Sequence, residues 1–244
     1  MEPWQERTRM LLGEERMAQL ARSRVAVIGL GGVGAFAAEM LVRAGVGTLL
    51  ILDSDCVSLT NKNRQLLALD STLGRPKAQV LRERLLDINP ALKLTLCESY
   101  LDETNAADLI RPEEIDFLVD AIDTLGPKLA LIRHCVENHI PLVSSMGSGA
   151  KYDMTKIRIT DLSKSFNCPL AYIVRKKLRK MGITKGFKVV FSEELPDEAA
   201  IVEMTPEEQA EVSHKKSQVG TLSYLPAAFG CACAQAAIQY LIGK

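Results

Sequence analysis

Four closely spaced glycines are the first residues whose pattern suggests chemistry. Gly29, Gly31, Gly32 and Gly34 satisfy G-x-G-x-x-G between a β-branched run and a helical pattern. Glycines in this context let backbone N–H groups approach a phosphate, and the helix that follows contributes its dipole. Asp53 lies nineteen residues beyond the last glycine, where a carboxylate can accept hydrogen bonds from ribose hydroxyls. The pattern predicts a bound nucleotide and leaves NAD, FAD and ATP open.

Polar and cationic residues beyond this aspartate narrow the choice of nucleotide. They are Asp55, Asn61, Arg64, Gln65 and Lys77. The bridging phosphates of a dinucleotide need few cations, whereas a leaving pyrophosphate develops charge that Arg, Lys and a divalent ion must stabilise. We therefore favour ATP. A nicotinamide-dependent oxidoreductase, a non-catalytic nucleotide sensor and a merely solvated basic loop are the alternatives.

Two acids, Asp120 and Asp123, follow the fourth predicted strand. The carboxyl ends of parallel strands meet at one edge of a sheet, so these acids are expected beside the glycine turn. Either of them could hold Mg²⁺ on the phosphates of the nucleotide.

Alternating apolar runs and amphipathic stretches predict the elements that position these groups. Strands are predicted at 24–29, 48–52, 92–97, 116–120, 140–145, 156–160 and 187–191, and helices at 35–44, 76–88, 127–138, 169–181 and from Pro226 onward. This alternation is typical of an α/β fold with a doubly wound, mostly parallel, Rossmann-like sheet. We expect a single domain over 1–244, with an ATP-binding core at 1–150. A smaller mixed extension at 151–244 would hold a basic helix, an acidic loop and a buried C-terminal helix.

The motifs together closely resemble the ubiquitin-activating-enzyme-like adenylating superfamily, which includes the bacterial activators of sulfur carriers. The resemblance runs through G-x-G-G-x-G, D-x-D-x-V, T-N-x-x-R-Q, G-x-P-K and D-x-x-D-T, over about residues 7–150. It implies that Asp53 binds ribose, that Asp123 ligates Mg²⁺, and that an arginine before the first strand reaches the ATP of a neighbouring subunit. Arg7 is the best match for that arginine, and Arg9 is the alternative. The resemblance further implies that the phosphates are lined by Asn61, Arg64, Gln65 and Lys77.

Residues beyond this core indicate which branch of the superfamily the chain resembles. Paired C-x-x-C motifs are absent, so we expect no zinc. The stretch that begins at Cys168-Pro-Leu-Ala-Tyr resembles the bacterial tRNA threonylcarbamoyladenosine dehydratases. That resemblance implies adenylation of a threonyl carboxylate on a modified adenosine next to the anticodon of tRNA, followed by ring closure without an enzyme nucleophile. It also suggests a homodimer and cysteine-desulfurase or sulfur-acceptor partners. The alternative is adenylation of the C-terminal glycine of a ubiquitin-like sulfur carrier.

Charge is distributed unevenly in a chain that is neutral overall, with 30 Lys+Arg and 30 Asp+Glu among 244 residues. Residues 162–192 hold eight bases and no acid, whereas 193–211 hold eight acids and no base. A substrate as large as tRNA needs phosphate contacts, which the basic segment can supply. The predicted tRNA-binding residues are Arg175, Lys176, Lys177, Arg179 and Lys180. The acidic stretch 191–218 is expected to form a mobile loop.

The remaining composition favours a cytoplasmic protein. The first residues show no signal-peptide pattern, so the six cysteines are expected to be reduced thiols. Residues 217–243 carry no charge, but Pro226 and several glutamines there favour a buried helix over a membrane span. Cys168 is expected to be a small buried residue, with a reactive thiolate at a helix start as the alternative.

Overall fold

A single seven-stranded sheet organises the protein, as seen in a computed structural model that describes residues 2–204 and 217–244. Its strands are β1 (Arg24–Ile28), β2 (Thr48–Leu52), β3 (Lys93–Cys97), β4 (Phe117–Asp120), β5 (Leu142–Ser145), β6 (Ile157–Asp161) and β7 (Lys188–Ser192). They lie in the order β3-β2-β1-β4-β5-β7-β6, and all pairings are parallel except that of β6 with β7. The predicted doubly wound, mostly parallel sheet is confirmed. Its order reverses between β1 and β4, which is where such folds bind ligands.

Helices cover both faces of this sheet. They are α1 (Glu6–Arg22), α2 (Gly34–Ala44), α3 (Lys77–Ile88), α4 (Ala106–Leu109), α5 (Leu125–Glu137), α6 (Pro169–Lys180) and α7 (Tyr224–Leu241). Val25 and Val27 pack with α2, α3 and α7, while Ala26 and Ile28 pack with α5 and α6 on the opposite face. Because alternate residues of a strand point to opposite faces, β1 has to be apolar along its whole length.

The extension beyond residue 150 joins this core directly. Strands β6 and β7 lengthen the sheet, and α7 packs against α2. The last helix begins at Tyr224, so Pro226 lies in its first turn, where a missing N–H costs nothing. Among the described residues, no helix has both the length and the apolar character that a bilayer span requires. Residues 205–216 of the predicted acidic loop lie outside the described residues.

Three features differ from the sequence expectation, and one of them is the four-residue helix α4, which the pattern does not predict. The pattern does not predict α1, because only Met17 and Leu20 of its residues are buried and Gly13 interrupts it with a φ of 78°. It also does not predict the small antiparallel pair β8 (Ile201–Glu203) and β9 (Ser217–Val219). These elements bury too few apolar side chains to give a periodic signal.

Candidate nucleotide-binding site

The glycine turn connects β1 to α2 at the point where the sheet order reverses. Gly29 has a φ of 86°, a backbone conformation that disfavours a side chain. A Cβ on Gly34 would lie 1.7 Å from the Gly29 carbonyl oxygen, so the helix can approach the strand only without one. A Cβ on Gly31 would meet nothing nearer than Gln65 Nε2 at 3.7 Å, which leaves this backbone open to a ligand. A Cβ on Gly32 would lie 2.9 Å from Pro226 Cβ, where α7 begins.

We predict opposite outcomes for two alanine substitutions in this turn. Gly34→Ala should lower the free energy of unfolding by about 3 kcal/mol, as overpacking does, because its Cβ would overlap the Gly29 carbonyl. Gly31→Ala should leave stability near the wild-type value and weaken ATP binding, because the methyl group would occupy space that a phosphate needs. Thermal unfolding and ATP titration measure the two effects, and equal unfolding temperatures for both variants would contradict the packing argument.

Asp53 lies beside this turn, at the end of β2. Its Oδ2 accepts the Leu30 N–H at 2.6 Å and its Oδ1 accepts the Asp55 N–H at 2.8 Å. Burial raises the pKa of Asp53, and the positive charge of Lys77 opposes that rise. The carboxylate is therefore fixed at the nucleotide edge by backbone donors, as a ribose acceptor needs to be.

Lys77 is the first residue of α3 and is only 5% exposed. Its Nζ donates to Asp55 Oδ2 at 2.7 Å, and its backbone N–H donates to the Asp55 carbonyl at 2.9 Å. Asp55 itself is largely exposed, with 69% of its side chain accessible. The ammonium group thus pairs with a carboxylate at the surface, and a phosphate could compete with that solvated carboxylate for it.

The loop between β2 and α3 carries the remaining predicted groups. Arg64 donates from Nη1 to the Thr60 carbonyl at 2.9 Å and makes no ion pair within the described part of the chain. Asn61 Oδ1 accepts the Ser58 N–H at 3.2 Å. Gln65 has a buried Oε1 without a hydrogen-bond partner among the described residues. The Arg64 guanidinium, which has no counterion among the described residues, is suited to an anionic phosphate. The unsatisfied Gln65 amide oxygen is an acceptor and is suited to a hydroxyl or amino donor of a ligand.

The two acids after β4 have different surroundings. Asp120 is fully buried and accepts hydrogen bonds from Lys128 Nζ and Ser144 Oγ, each at 2.6 Å. Its second oxygen accepts the Ile122 N–H at 3.0 Å, which fixes the turn that follows. Asp123 is exposed at the end of that turn. Of the two candidates, only Asp123 is accessible to a metal ion on the nucleotide.

The fully buried Lys128 was missing from the sequence-based set. It lies in α5 and is 0% exposed. The one signal for it in the sequence is that this lysine directly precedes the apolar run 129–132 of that helix. A buried lysine requires a partner, but sequence does not say that the partner is Asp120.

The predicted cross-subunit arginines lie away from this site in their own chain. Gln5, just before α1, lies against Gly45, which precedes β2 at the amino edge of the sheet. Arg7 is exposed and forms no ion pair with any described residue, whereas Arg9 donates to Glu14 at 2.9 Å. The structure therefore brings neither arginine to the glycine turn of its own subunit.

The predicted tRNA-binding residues all lie on α6, but their environments differ. Arg175 is half-buried, and its guanidinium bonds to the carbonyl and to Oγ of Ser165, the latter at 2.6 Å. The exposed cations are Lys176, Lys177, Arg179 and Lys180. Arg175 thus anchors the helix, and four cations face solvent.

The fold and the site together define a nucleotide-binding α/β protein of the doubly wound class. A model of the ThiF family matches residues 5–244, and the chain belongs to this family.

Three comparisons place the chain within it. The chain is 44% identical over 190 residues to a tRNA threonylcarbamoyladenosine dehydratase of Bacillus subtilis (strain 168), covering 78% of this chain and 74% of that protein. The crystal structure of the Escherichia coli tRNA N6-threonylcarbamoyladenosine dehydratase in complex with ATP aligns with a TM-score of 0.87 at 33% identity, covering 100% of this chain and 96% of that one. A molybdopterin-synthase adenylyltransferase of Escherichia coli (strain K12) is 37% identical over 149 residues, which is 61% of this chain and 59% of that protein.

Proposed function

We propose that the protein catalyses the ATP-dependent dehydration of N6-threonylcarbamoyladenosine in tRNA. The observation that carries this proposal is the similarity, over the whole chain, to the dehydratase solved with ATP. The polar groups around the glycine turn support it, because a carboxylate becomes a good electrophile only after it is joined to AMP. The proposal places the enzyme in the cytoplasm, with tRNA as its substrate and cysteine-desulfurase or sulfur-acceptor proteins as further partners.

The reaction has two steps. A threonyl carboxylate oxygen attacks the α-phosphorus of ATP, and pyrophosphate leaves. Lys77 and Arg64 stabilise the charge that develops on the phosphates, while Asp53 holds the ribose. A nucleophile within the substrate then attacks the activated carbonyl carbon, and AMP leaves with the former carboxylate oxygen. Such an intramolecular step can supply roughly 7–11 kcal/mol through proximity alone, so no enzyme nucleophile is needed.

A magnesium ion fits the accessible acid. Within residues 2–204 and 217–244, no group of three or more His, Cys, Asp or Glu side chains could hold a metal ion by itself. Mg²⁺ commonly needs only one or two carboxylates together with substrate phosphates, and Asp123 offers one. When bound, the ion would neutralise charge on those phosphates.

A homodimer would complete the site. Arg7 is exposed, and Gln5, two residues before it, lies against Gly45 at the amino edge of the sheet. We therefore expect Arg7 to act at the site of a second subunit rather than at its own. We propose Arg7 as that cross-subunit residue in preference to Arg9, because Arg9 is engaged with Glu14.

Three substitutions should distinguish residues that act on the nucleotide from a residue that does not. Asp123→Ala and Arg64→Ala should each reduce AMP formation by about a hundredfold or more, since each removes a group that acts on the phosphates. Cys168→Ala should retain most of the activity, because the thiol is only 4% exposed and no covalent step requires it. AMP release measured with modified tRNA checks all three. Equal loss in Cys168→Ala would indicate a covalent intermediate.

The second candidate function is adenylation of a sulfur-carrier protein, which the similarity to the molybdopterin-synthase adenylyltransferase favours. The two candidates differ in the substrate that triggers ATP consumption. The protein should release AMP and pyrophosphate with ATP, Mg²⁺ and tRNA bearing threonylcarbamoyladenosine. Release only in the presence of a ubiquitin-like carrier would overturn the dehydratase proposal.

A further inference from the structure

The solvent-facing side of α6 combines aromatic and cationic residues in a fixed order. Ala171, Val174 and Leu178 face the core, so the opposite side of the helix is exposed. Tyr172 lies there in the first turn and is 57% exposed. Lys176 and Lys180 follow at intervals of four residues and therefore lie in the same row as Tyr172.

The helix begins near the carboxyl edge of the sheet, where the glycine turn also lies and which we call the reaction edge, and it runs away from that edge. Cys168, immediately before α6, has its Sγ 3.9 Å from the position of a Cβ on Gly147, just beyond the carboxyl end of β5. After α6 the chain enters β7, which is parallel to β5, so the end of the helix lies toward the amino edge. A helix rises about 1.5 Å per residue, which places Lys180 roughly 12 Å farther along the axis than Tyr172.

We infer that this face docks the anticodon arm of tRNA in one orientation, with Tyr172 stacking on an unpaired loop base and the lysines beyond it contacting backbone phosphates. The inference rests on the proposed function and adds the mode of substrate recognition. Charge complementarity supports an RNA occupant, since Lys176, Lys177, Arg179 and Lys180 form no ion pairs among the described residues. Arg175 takes no part, because Ser165 holds its guanidinium.

The aromatic residues at the start of α6 favour an RNA loop over an RNA duplex as the bound segment. Tyr172 is 57% exposed and its hydroxyl makes no hydrogen bond with the described residues, so its ring is accessible to a ligand. Phe166 is 48% exposed near the same end of the helix and packs edge-on against Phe191, with ring centroids 5.5 Å apart. Duplex RNA hides its base faces, whereas unpaired loop bases can stack on aromatic rings.

Binding measurements with unmodified RNA test this docking independently of catalysis. The probes are an anticodon stem-loop and a blunt duplex of the same stem, each titrated without ATP at low and high salt. Tyr172→Ala should weaken stem-loop binding roughly fivefold to hundredfold, as loss of one stacked base does, and should leave the salt slope unchanged. Tyr172→Phe should bind like the wild type, and neither variant should alter duplex binding.

Two cation variants provide the matched comparison. Lys176→Gln with Lys180→Gln should reduce the salt slope by about 1.4 to 1.8, as loss of two phosphate contacts does. Arg82→Gln removes an exposed arginine from α3 on the opposite face and should change neither affinity nor slope. Equal effects of Tyr172→Ala on both RNAs, no effect on either, or preferential binding of anionic vesicles over RNA would overturn the docking.

Turnover with modified tRNA separates this inference from the proposed function. Tyr172→Ala should raise KM for tRNA and leave kcat unchanged. Normal KM in that variant, together with intact dehydration, would overturn the docking alone. Absence of dehydration in the wild type would overturn the proposed function. The RNA-binding measurements would still test whether α6 docks RNA.

Discussion

Lys77→Met is expected to lower the rate of AMP formation by about 10²- to 10³-fold, the range seen when a group that stabilises a charged transition state is removed. Methionine keeps most of the apolar stem that α3 buries and removes only the ammonium group. Stability should change little, because the partner carboxylate of Asp55 is 69% exposed and can return to water. Single-turnover AMP release and thermal unfolding measure the two quantities.

The same variant should also change the pH dependence of nucleotide binding. Burial already raises the pKa of Asp53, and the Lys77 charge opposes that rise. Removing the charge raises this pKa further, so protonation, and with it loss of ribose binding, should begin at a higher pH than in the wild type. Lys62→Met is the control, since Lys62 also pairs with an exposed carboxylate, Asp70, at 2.7 Å. Wild-type turnover in Lys77→Met would contradict the assignment of Lys77 to the phosphates.

Lys128→Met is expected to destabilise the protein by about 3–5 kcal/mol, the cost of leaving one partner of a buried ion pair uncompensated. Asp120 and Lys128 are both 0% exposed, so the remaining carboxylate cannot reach water. For a chain of this size, each kcal/mol corresponds to about 2–4 °C in unfolding temperature.

A second substitution should recover most of the lost stability. In the Asp120→Asn, Lys128→Met double variant the buried charge is gone, while the amide oxygen can still accept the Ile122 N–H and the amide nitrogen can donate to Ser144. The turn before Asp123 then keeps its hydrogen bond to residue 120, so AMP formation by the double variant should stay close to that of the wild type. An unfolding temperature for Lys128→Met equal to that of the wild type would contradict the role of the pair.

Local patterns made much of the fold and of the nucleotide site predictable. Spacing between neighbouring residues is enough to predict the glycine turn, Asp53 and the alternating strands. The sequence does not show that Asp120 is buried while Asp123 is exposed. That difference depends on the hydrogen bonds of Asp120 with Lys128 and with Ser144 from the adjacent strand.

Other features depend on contacts that spacing does not reveal. Arg175 belongs to the same basic run as its neighbours, and only its bonds to Ser165 separate it from them. The residues of β6 do not distinguish its antiparallel pairing with β7 from the parallel pairings of the other strands. The order of aromatic and cationic groups along α6 acquires meaning only once the helix is placed against the reaction edge.

The central claim is that the threonyl carboxylate itself is joined to AMP, and an isotope experiment tests it most directly. Modified tRNA with a heavy oxygen isotope in that carboxylate is incubated with the protein, ATP and Mg²⁺, and the products are analysed by mass spectrometry. We predict one heavy oxygen in the phosphate of AMP and a nucleoside lighter by one labelled water. Unlabelled AMP together with a dehydrated nucleoside would contradict adenylation of the carboxylate.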